Sequence, residues 1–263
     1  MTINYYKILS YLRYLLDAKG SNSIHSPFVF NLYTKVIKDK SFHSDYILIE
    51  KILKRVIKND NQIEITDFGV DNEIGYEHRL EKISDLYKKS SITPKYGKLL
   101  YRLTKHFNPK CIFEIGTSVG ASTIYLATAR NYEVIHTFEG CSAKSSIAKM
   151  LFDKYDYENI NLNIGQFSKT VTEKLQDIDE IDFAFIDGYH KKDATIDFFE
   201  QLYTKAHKNS VFVFDDIHWS KGMEEAWKII CNDKRVTVSI DLYRIGLIFF
   251  NPDYSKEHFV LKF

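Results

Sequence analysis

The feature that most constrains this chain is a strand–turn–helix–strand unit between Cys111 and Gly140. The run CIFEIGT ends in a glycine-bearing turn, SVGAS opens a helix that continues to Arg130, and VIHTFEG is a second apolar run ending in an acid, Glu139. That order is the βαβ opening of a nucleotide-type α/β fold. There the first turn and the helix N-terminus face the charged part of a ligand, and the acid faces ribose hydroxyls. Gly116 lets the chain turn sharply off the strand, and Gly120 lets backbone approach a ligand or a packed helix. Alone, Gly-x-x-x-Gly is a weak signal, and a plain strand-to-helix connection is its rival. The downstream residues give it weight.

From Thr93 onward, strands and helices alternate. Helices are expected near 121–130, 143–155, 169–176, 191–207 and 221–231, after one at 95–107 with a stripe through Leu99, Leu100, Leu103 and Phe107. Strands are expected near 111–116, 134–139, 160–164, 181–187, 210–215, 236–242 and 245–250. Runs such as DFAFID, SVFVFD and GLIFF are continuously apolar, as in a parallel sheet covered by helices on both faces. The last two strands are joined only by the short turn around Arg244, too short for a parallel crossover. The expected fold is therefore α/β and Rossmann-like. It has a seven-stranded, mostly parallel sheet with the last strand antiparallel, helices on both faces and an N-terminal helical extension.

That extension divides the chain into residues 1–92, a helical cap, and 93–263, the α/β domain. Tyr5 to Leu16 reads as a helix with apolar residues on nearly every face, either buried or covered by a partner. Ser26-Pro27 starts a second helix, Ser26 capping it. Ser44 caps a third, with a stripe through Leu48, Ile49, Ile52, Leu53, Val56 and Ile57. Residues 64–75 read as a loop and 76–89 as a fourth helix. Lys51, Lys54, Arg55 and Lys58 read as a solvated face, with a basic docking surface as the alternative.

At 263 residues, 44% of them hydrophobic, the chain can bury a full core. The 36 basic and 35 acidic residues leave a net charge of +1, in which nothing argues for nucleic acid or a membrane surface as the main partner. The three cysteines, Cys111, Cys141 and Cys231, form no CxxC pair and read as free thiols of a reducing compartment. With no signal-peptide pattern and no long apolar run, a cytoplasmic location is expected.

In open α/β sheets, ligands sit beyond the carboxyl ends of the strands. Those ends carry Gly116 and Thr117, then Glu139, Gly165 and Gln166, Asp187, and the pair Asp215-Asp216, with His190 and His218-Trp219 just beyond. Carboxylates converging on one edge repel one another unless something positive sits among them, and a divalent cation, Mg²⁺ or Mn²⁺, is the economical answer. The rival reading makes each acid a helix cap or surface charge.

Together, Glu114-Ile-Gly116-Thr-Ser-Val-Gly120-Ala-Ser122, Glu139, Asp187 and Asp215-Asp216 resemble the class I S-adenosylmethionine (SAM)-dependent O-methyltransferases. The likeness is to the catechol-type enzymes and the metal-dependent macrolide-sugar enzymes, over about residues 93–250. The resemblance implies that Gly116, Thr117 and Gly120 line the methionine moiety, Ser122 meets its carboxylate, Glu139 binds the ribose and Gln166 lies by the adenine. Glu114, Ser118, Gly165 and Asp187 complete the implied cofactor-binding set. Asp187, Asp215 and Asp216 are the implied metal ligands. Catechol-type enzymes have Asn where Asp216 stands and Lys where His190 stands, so the chain leans toward a sugar or other aliphatic hydroxyl.

In the implied reaction a metal aligns the acceptor hydroxyl, Asp187 serves the catalytic centre and His190 is the base, with His218 as second candidate. Competing readings make His190 an exposed helix-start residue, His218 structural, Gln166 a loop residue and Trp227 a core aromatic; Trp219 could stack on substrate. The expected partner is a small-molecule acceptor, and the apolar first helix suits a homodimer. Two alternatives stand beside this one: a metal-independent SAM-dependent methyltransferase on another acceptor, and a non-catalytic SAM-binding or partner-binding protein. A nicotinamide dehydrogenase is disfavoured because the turn is not GxGxxG.

Overall fold

The structure, a computed structural model, describes residues 5–67, 77–129 and 132–263. In chain order, α1 spans Tyr5–Asp17, α2 Pro27–Leu32 with a π-helical continuation over Tyr33–Ile37, and α3 Asp45–Ile57. An antiparallel pair, β1 (Gln62–Asp67) and β2 (Glu77–Lys82), precedes α4 (Ile83–Ser90) and α5 (Pro94–Phe107). The alternating part runs β3 (Cys111–Ile115), α6 (Ala121–Thr128), β4 (Val134–Glu139), α7 (Ser142–Lys154), β5 (Ile160–Ile164) and α8 (Phe167–Gln176). It continues with β6 (Ile181–Ile186), α9 (Lys192–Tyr203), β7 (Ala206–Phe214) and α10 (Lys221–Asn232). The chain closes with β8 (Val238–Asp241), β9 (Gly246–Phe249) and β10 (Glu257–Val260). The main, mostly parallel sheet has eight strands.

The chain divides into two compact units. One comprises Lys40–Asp177. In it β3, β4 and β5 lie side by side and parallel, with Glu114 opposite Thr137 and Glu139 opposite Ile164. On α5, Leu99, Leu100 and Leu103 are completely buried, as their helical spacing predicts. Each such side chain contributes about 1.5–3 kcal/mol through burial. Helix α6 is buried along its whole length, so the turn before it is held from below as well as by its own bonds.

The other unit comprises the residues up to Asp39 and Ile178–Phe263. Here β6 and β7 are parallel, β9 runs antiparallel to β7 and to β8, and β10 pairs with β8. The antiparallel final hairpin expected from the short turn is therefore present. Gly246 starts β9 where a Cβ would meet the Trp227 ring at 2.5 Å, which puts Trp227 in the core. On α1, Ser10 and Tyr14 are buried while Ile8, Leu9, Leu12 and Leu16 are exposed.

Four expectations are corrected. The sheet has eight strands rather than seven, because the short, partly charged segment Glu257–Val260 adds an edge strand to β8. The helix expected to reach His207 ends at Tyr203: the Ser210 hydroxyl accepts from the His207 N–H and donates to the Ile181 carbonyl, and β7 begins at Ala206. Residues 64–67 and 77–82 are strands rather than loop and helix, and each supplies the other's backbone partners. The rest of that expected loop, 68–75, and the expected helix start at Tyr76 lie outside the described residues, as does Arg130. Ser44 has a helical backbone (φ −57°) and makes no capping bond, whereas Ser26 accepts from the Val29 N–H as expected.

Candidate active site

In the Lys40–Asp177 unit, the turn after β3 is built by positive-φ residues. Gly116 has φ 101°, Ser118 φ 48° and Gly120 φ 85°. A non-glycine residue in the left-handed region, such as Ser118, is held there by its surroundings. The holding group is Glu139. One of its carboxylate oxygens accepts the Ser118 N–H at 2.8 Å and the other the Cys141 N–H at 2.9 Å, with the residue 7% exposed. The Glu139 carbonyl accepts the Gly165 N–H at 3.0 Å, which fixes the tip of β5 against the tip of β4. Ser118 and Gly165 are half-buried, and Gln166 is an exposed residue at the start of α8 whose side chain makes no capping bond.

Beneath the turn lies a hydroxyl–carboxyl network. Glu114 accepts from the Thr123 and Thr137 hydroxyls at 2.6 Å each, and Thr137 is 2.5 Å from the Thr117 hydroxyl. Glu114 is completely buried, and burial pushes its carboxyl well above the usual range against the pull of the Ser122, Thr123 and Thr137 hydroxyls. Glu114 and the Thr117 side chain thus support the turn from below. Ser122 is likewise buried, in the first turn of α6.

In the other unit, Asp187 follows β6 and Asp215-Asp216 follow β7. His190 Nε2 lies 3.4 Å from Asp187 Oδ1. His190 is in the loop before α9 rather than in a helix, with φ 40°, next to Tyr189 at φ 59°; Asp216 has φ 54° and Tyr243 φ 71°. Four non-glycine residues in the left-handed region around one acidic cluster are a concentration of backbone strain, of the kind found at functional sites.

The positive partner of these acids is a side chain. Gly246 lies opposite Phe214 in the β7–β9 register, which brings the turn before β9 alongside the residues after β7. The Arg244 carbonyl accepts the Ile217 N–H at 3.1 Å. The Arg244 guanidinium then donates two bonds to Asp215, Nε to Oδ1 at 2.8 Å and Nη2 to Oδ2 at 2.6 Å, and lies 3.4 Å from Asp216. The Asp215 side chain is fully buried. Burial opposes the Arg244 charge, but Asp215, Asp216 and Asp187 hold the guanidinium protonated, above its usual range. Burial, then Asp215, pushes the Asp216 carboxyl up.

The expected metal set is corrected by this geometry. Each oxygen of Asp215 accepts one N–H of a two-donor fork, so a cation would have to share this carboxylate with a guanidinium, and among the described residues no group of three His, Cys, Asp or Glu is arranged to hold a metal ion. Asp187, Asp215 and Asp216 as they stand do not fit a divalent cation.

Helix α1 reaches the same cluster. Lys7 Nζ sits 2.8 Å from the centroid of the half-exposed Trp219 ring, and its ammonium is pulled below its usual range by burial while Asp216 acts in the opposite sense. The Tyr243 hydroxyl donates to the Lys7 carbonyl, and Tyr6 donates to Glu224 at 2.5 Å. His218 is 2.7 Å from Asp241 and stacks on Tyr243, the structural reading rather than the base. Sequence reasoning missed Arg244 and Lys7. For Arg244 the signal was present, a lone cation in the turn of the final hairpin.

Residues 113–217 match the family profile described as a methyltransferase domain. An O-methyltransferase from Bacillus cereus in complex with SAH superposes with a TM-score of 0.57 at 17% identity, covering 84% of this chain and 97% of that one. The SAM complex of TomG from Streptomyces achromogenes, an O-methyltransferase involved in tomaymycin synthesis, gives 0.53 at 18% identity, covering 62% and 82%. The SAH-bound Podospora anserina methyltransferase PaMTH1 gives 0.55 at 15% identity, covering 81% and 99%. The fold is that of the class I methyltransferases. No curated protein sequence matches the chain. Among the described residues, no helix is long and apolar enough to cross a membrane.

Proposed function

We propose that the protein is a SAM-dependent methyltransferase that acts on a hydroxyl of a small-molecule acceptor. The observation that carries this reading is the Glu139 carboxylate, which holds the positive-φ turn at Ser118. Each of its oxygens already accepts one backbone N–H and retains lone-pair capacity for a ribose hydroxyl. With SAM bound, Gly116, Ser118 and Gly120 would form the turn beside its methionine end, Glu139 would bind the ribose, and Gly165 and Gln166 would lie by the adenine. When bound, SAM supplies an electrophilic methyl group.

This chain's residues then have two tasks. The first is alignment, since displacement at the methyl carbon requires the acceptor oxygen in line with the bond that breaks. Trp219, half-exposed at the acid cluster, provides an aromatic face for that purpose, with Lys7 from the first helix packed over it. The second is removal of the hydroxyl proton. His190 takes it on Nδ1 while Nε2 faces Asp187, which orients the ring and stabilises the charge that forms. No step is assigned to a metal, and the metal-independent form of the reading is the one the Asp215–Arg244 pair favours.

Calorimetric titration with SAH, followed by transfer of labelled methyl from SAM to a panel of hydroxylated small molecules, tests this. SAH binding together with labelled ether products is the expected result. Absence of SAH binding by folded protein would remove the cofactor assignment. SAH binding with product on nitrogen acceptors alone would remove the hydroxyl assignment.

A further inference from the structure

We infer that Arg244 is a built-in cation that holds the place of a metal ion: its guanidinium keeps Asp187, Asp215 and Asp216 together and stops them from recruiting a divalent cation. Three carboxylates at the ends of two adjacent parallel strands repel one another, and Asp215 is fully buried, so a positive charge must stand among them. A divalent ion and a guanidinium both meet that need, but they compete for the same place beside one buried carboxylate. Here the planar fork of Arg244 donates one hydrogen bond to each Asp215 oxygen, at 2.8 and 2.6 Å, and stands 3.4 Å from Asp216. A bidentate guanidinium–carboxylate pair is directional and weakly hydrated, which suits a buried site better than an ammonium does. The β7–β9 register and the Ile217–Arg244 backbone bond fix the arginine in this place, so its position is set by the sheet and not by a flexible stem alone.

A second cation, Lys7, lies close enough to Asp216 to act on it electrostatically. Three acids thus face two side-chain cations. Arg244 is a positioning residue: it touches Asp215 and Asp216, and its effect on acceptors runs through the carboxylates it holds.

The test uses Mn²⁺ as the probe, on the full chain, by electron paramagnetic resonance and calorimetry. The variants are Arg244→Ala, Arg244→Lys and Asp215→Asn. Wild type is expected to bind no Mn²⁺ at this site. Arg244→Ala releases both Asp215 oxygens, and its Mn²⁺ affinity is expected to rise by on the order of tenfold or more, because carboxylate oxygens are the ligands such ions prefer. The gain is expected to vanish in the double variant Arg244→Ala/Asp215→Asn. A merely structural arginine would not produce it. Arg244→Ala leaves a buried charge unpaired, so if it folds only when Mn²⁺ is added, that rescue supports the inference. Arg244→Lys keeps the charge without the fork and is expected to bind Mn²⁺ more weakly than Arg244→Ala. Wild-type Mn²⁺ binding that Asp215→Asn abolishes overturns the inference, as does a folded Arg244→Ala that gains none. Neither result bears on SAH binding, so failure here is distinguishable from failure of the methyltransferase reading.

Discussion

Replacing Glu139 with Gln tests the cofactor reading most directly, because the change keeps shape and removes charge. The wild-type carboxylate accepts the Ser118 and Cys141 N–H groups at 2.8 and 2.9 Å, one on each oxygen. An amide has one accepting oxygen, so in Glu139→Gln one of those N–H groups faces an NH₂ donor. Two hydroxyls of a bound ribose would lose their charged acceptor, and one would lose its acceptor outright. Hydrogen bonds to charged groups contribute about 1.5–3 kcal/mol each and neutral ones about 1, so the expected loss of binding is about 2–5 kcal/mol. That corresponds to a roughly 30- to 4,000-fold rise in the SAH dissociation constant. The unpaired N–H also costs stability, about 1–3 kcal/mol, or a melting temperature lower by about 2–10 °C in a chain of this size. Calorimetry gives the first quantity and a thermal melt the second. An SAH affinity within a few-fold of wild type, in a variant that melts cooperatively, would refute the role of Glu139 and with it the ribose end of the site.

Other outcomes follow from the same geometry. His190→Ala is expected to lower kcat by about 10²–10⁴-fold with SAH affinity unchanged, and an unaltered kcat would rule out His190 as the base. Gly120→Ala forces a Cβ into a φ of 85°, 3.1 Å from the Phe152 ring and 3.2 Å from Ala148, and urea unfolding should show a loss of about 2–5 kcal/mol from the left-handed backbone and crowding. A loss below half a kilocalorie would show that the turn relaxes freely. His136 is buried, and burial, aided by Lys174, pulls its imidazole from 6.5 down to about 4. Between those values the unfolded chain binds more protons than the folded one, so stability rises with pH across that window, by at most about 3 kcal/mol. His136→Leu should flatten this slope in urea unfolding, and an identical slope would place its origin elsewhere.

How much of this was legible in the sequence depends on the range of the interactions involved. The turn at Gly116–Gly120 and the acid at Glu139 were readable because strand, turn and helix follow one another, and each signal is local. The antiparallel ending was readable from the length of one turn. The network beneath the turn was not readable for a physical reason: the Thr123 and Thr137 hydroxyls that donate to Glu114 come from two other elements. The strand Glu257–Val260 was invisible because nothing in those four residues alone favours a sheet, and only the edge of β8 makes one of them. The first helix was readable as a helix, but not the reach of Lys7 to Trp219, a contact across most of the chain.

The acid cluster shows where local reasoning stops. The sequence correctly required a positive charge among Asp187, Asp215 and Asp216, since buried like charges are unstable together. It did not say which charge, because the candidate nearest in space is distant in sequence. Arg244 arrives only when β9 folds back along β7, and the register that sets Gly246 opposite Phe214 is what carries it to Asp215. A metal was the economical answer only while that pairing was unknown. Once the hairpin closes, the guanidinium fills the need with two directional bonds, and an ion would have to displace a donor fork already seated on a fully buried carboxylate. In this chain the turn of the last hairpin carries the arginine that answers the strand-end acids.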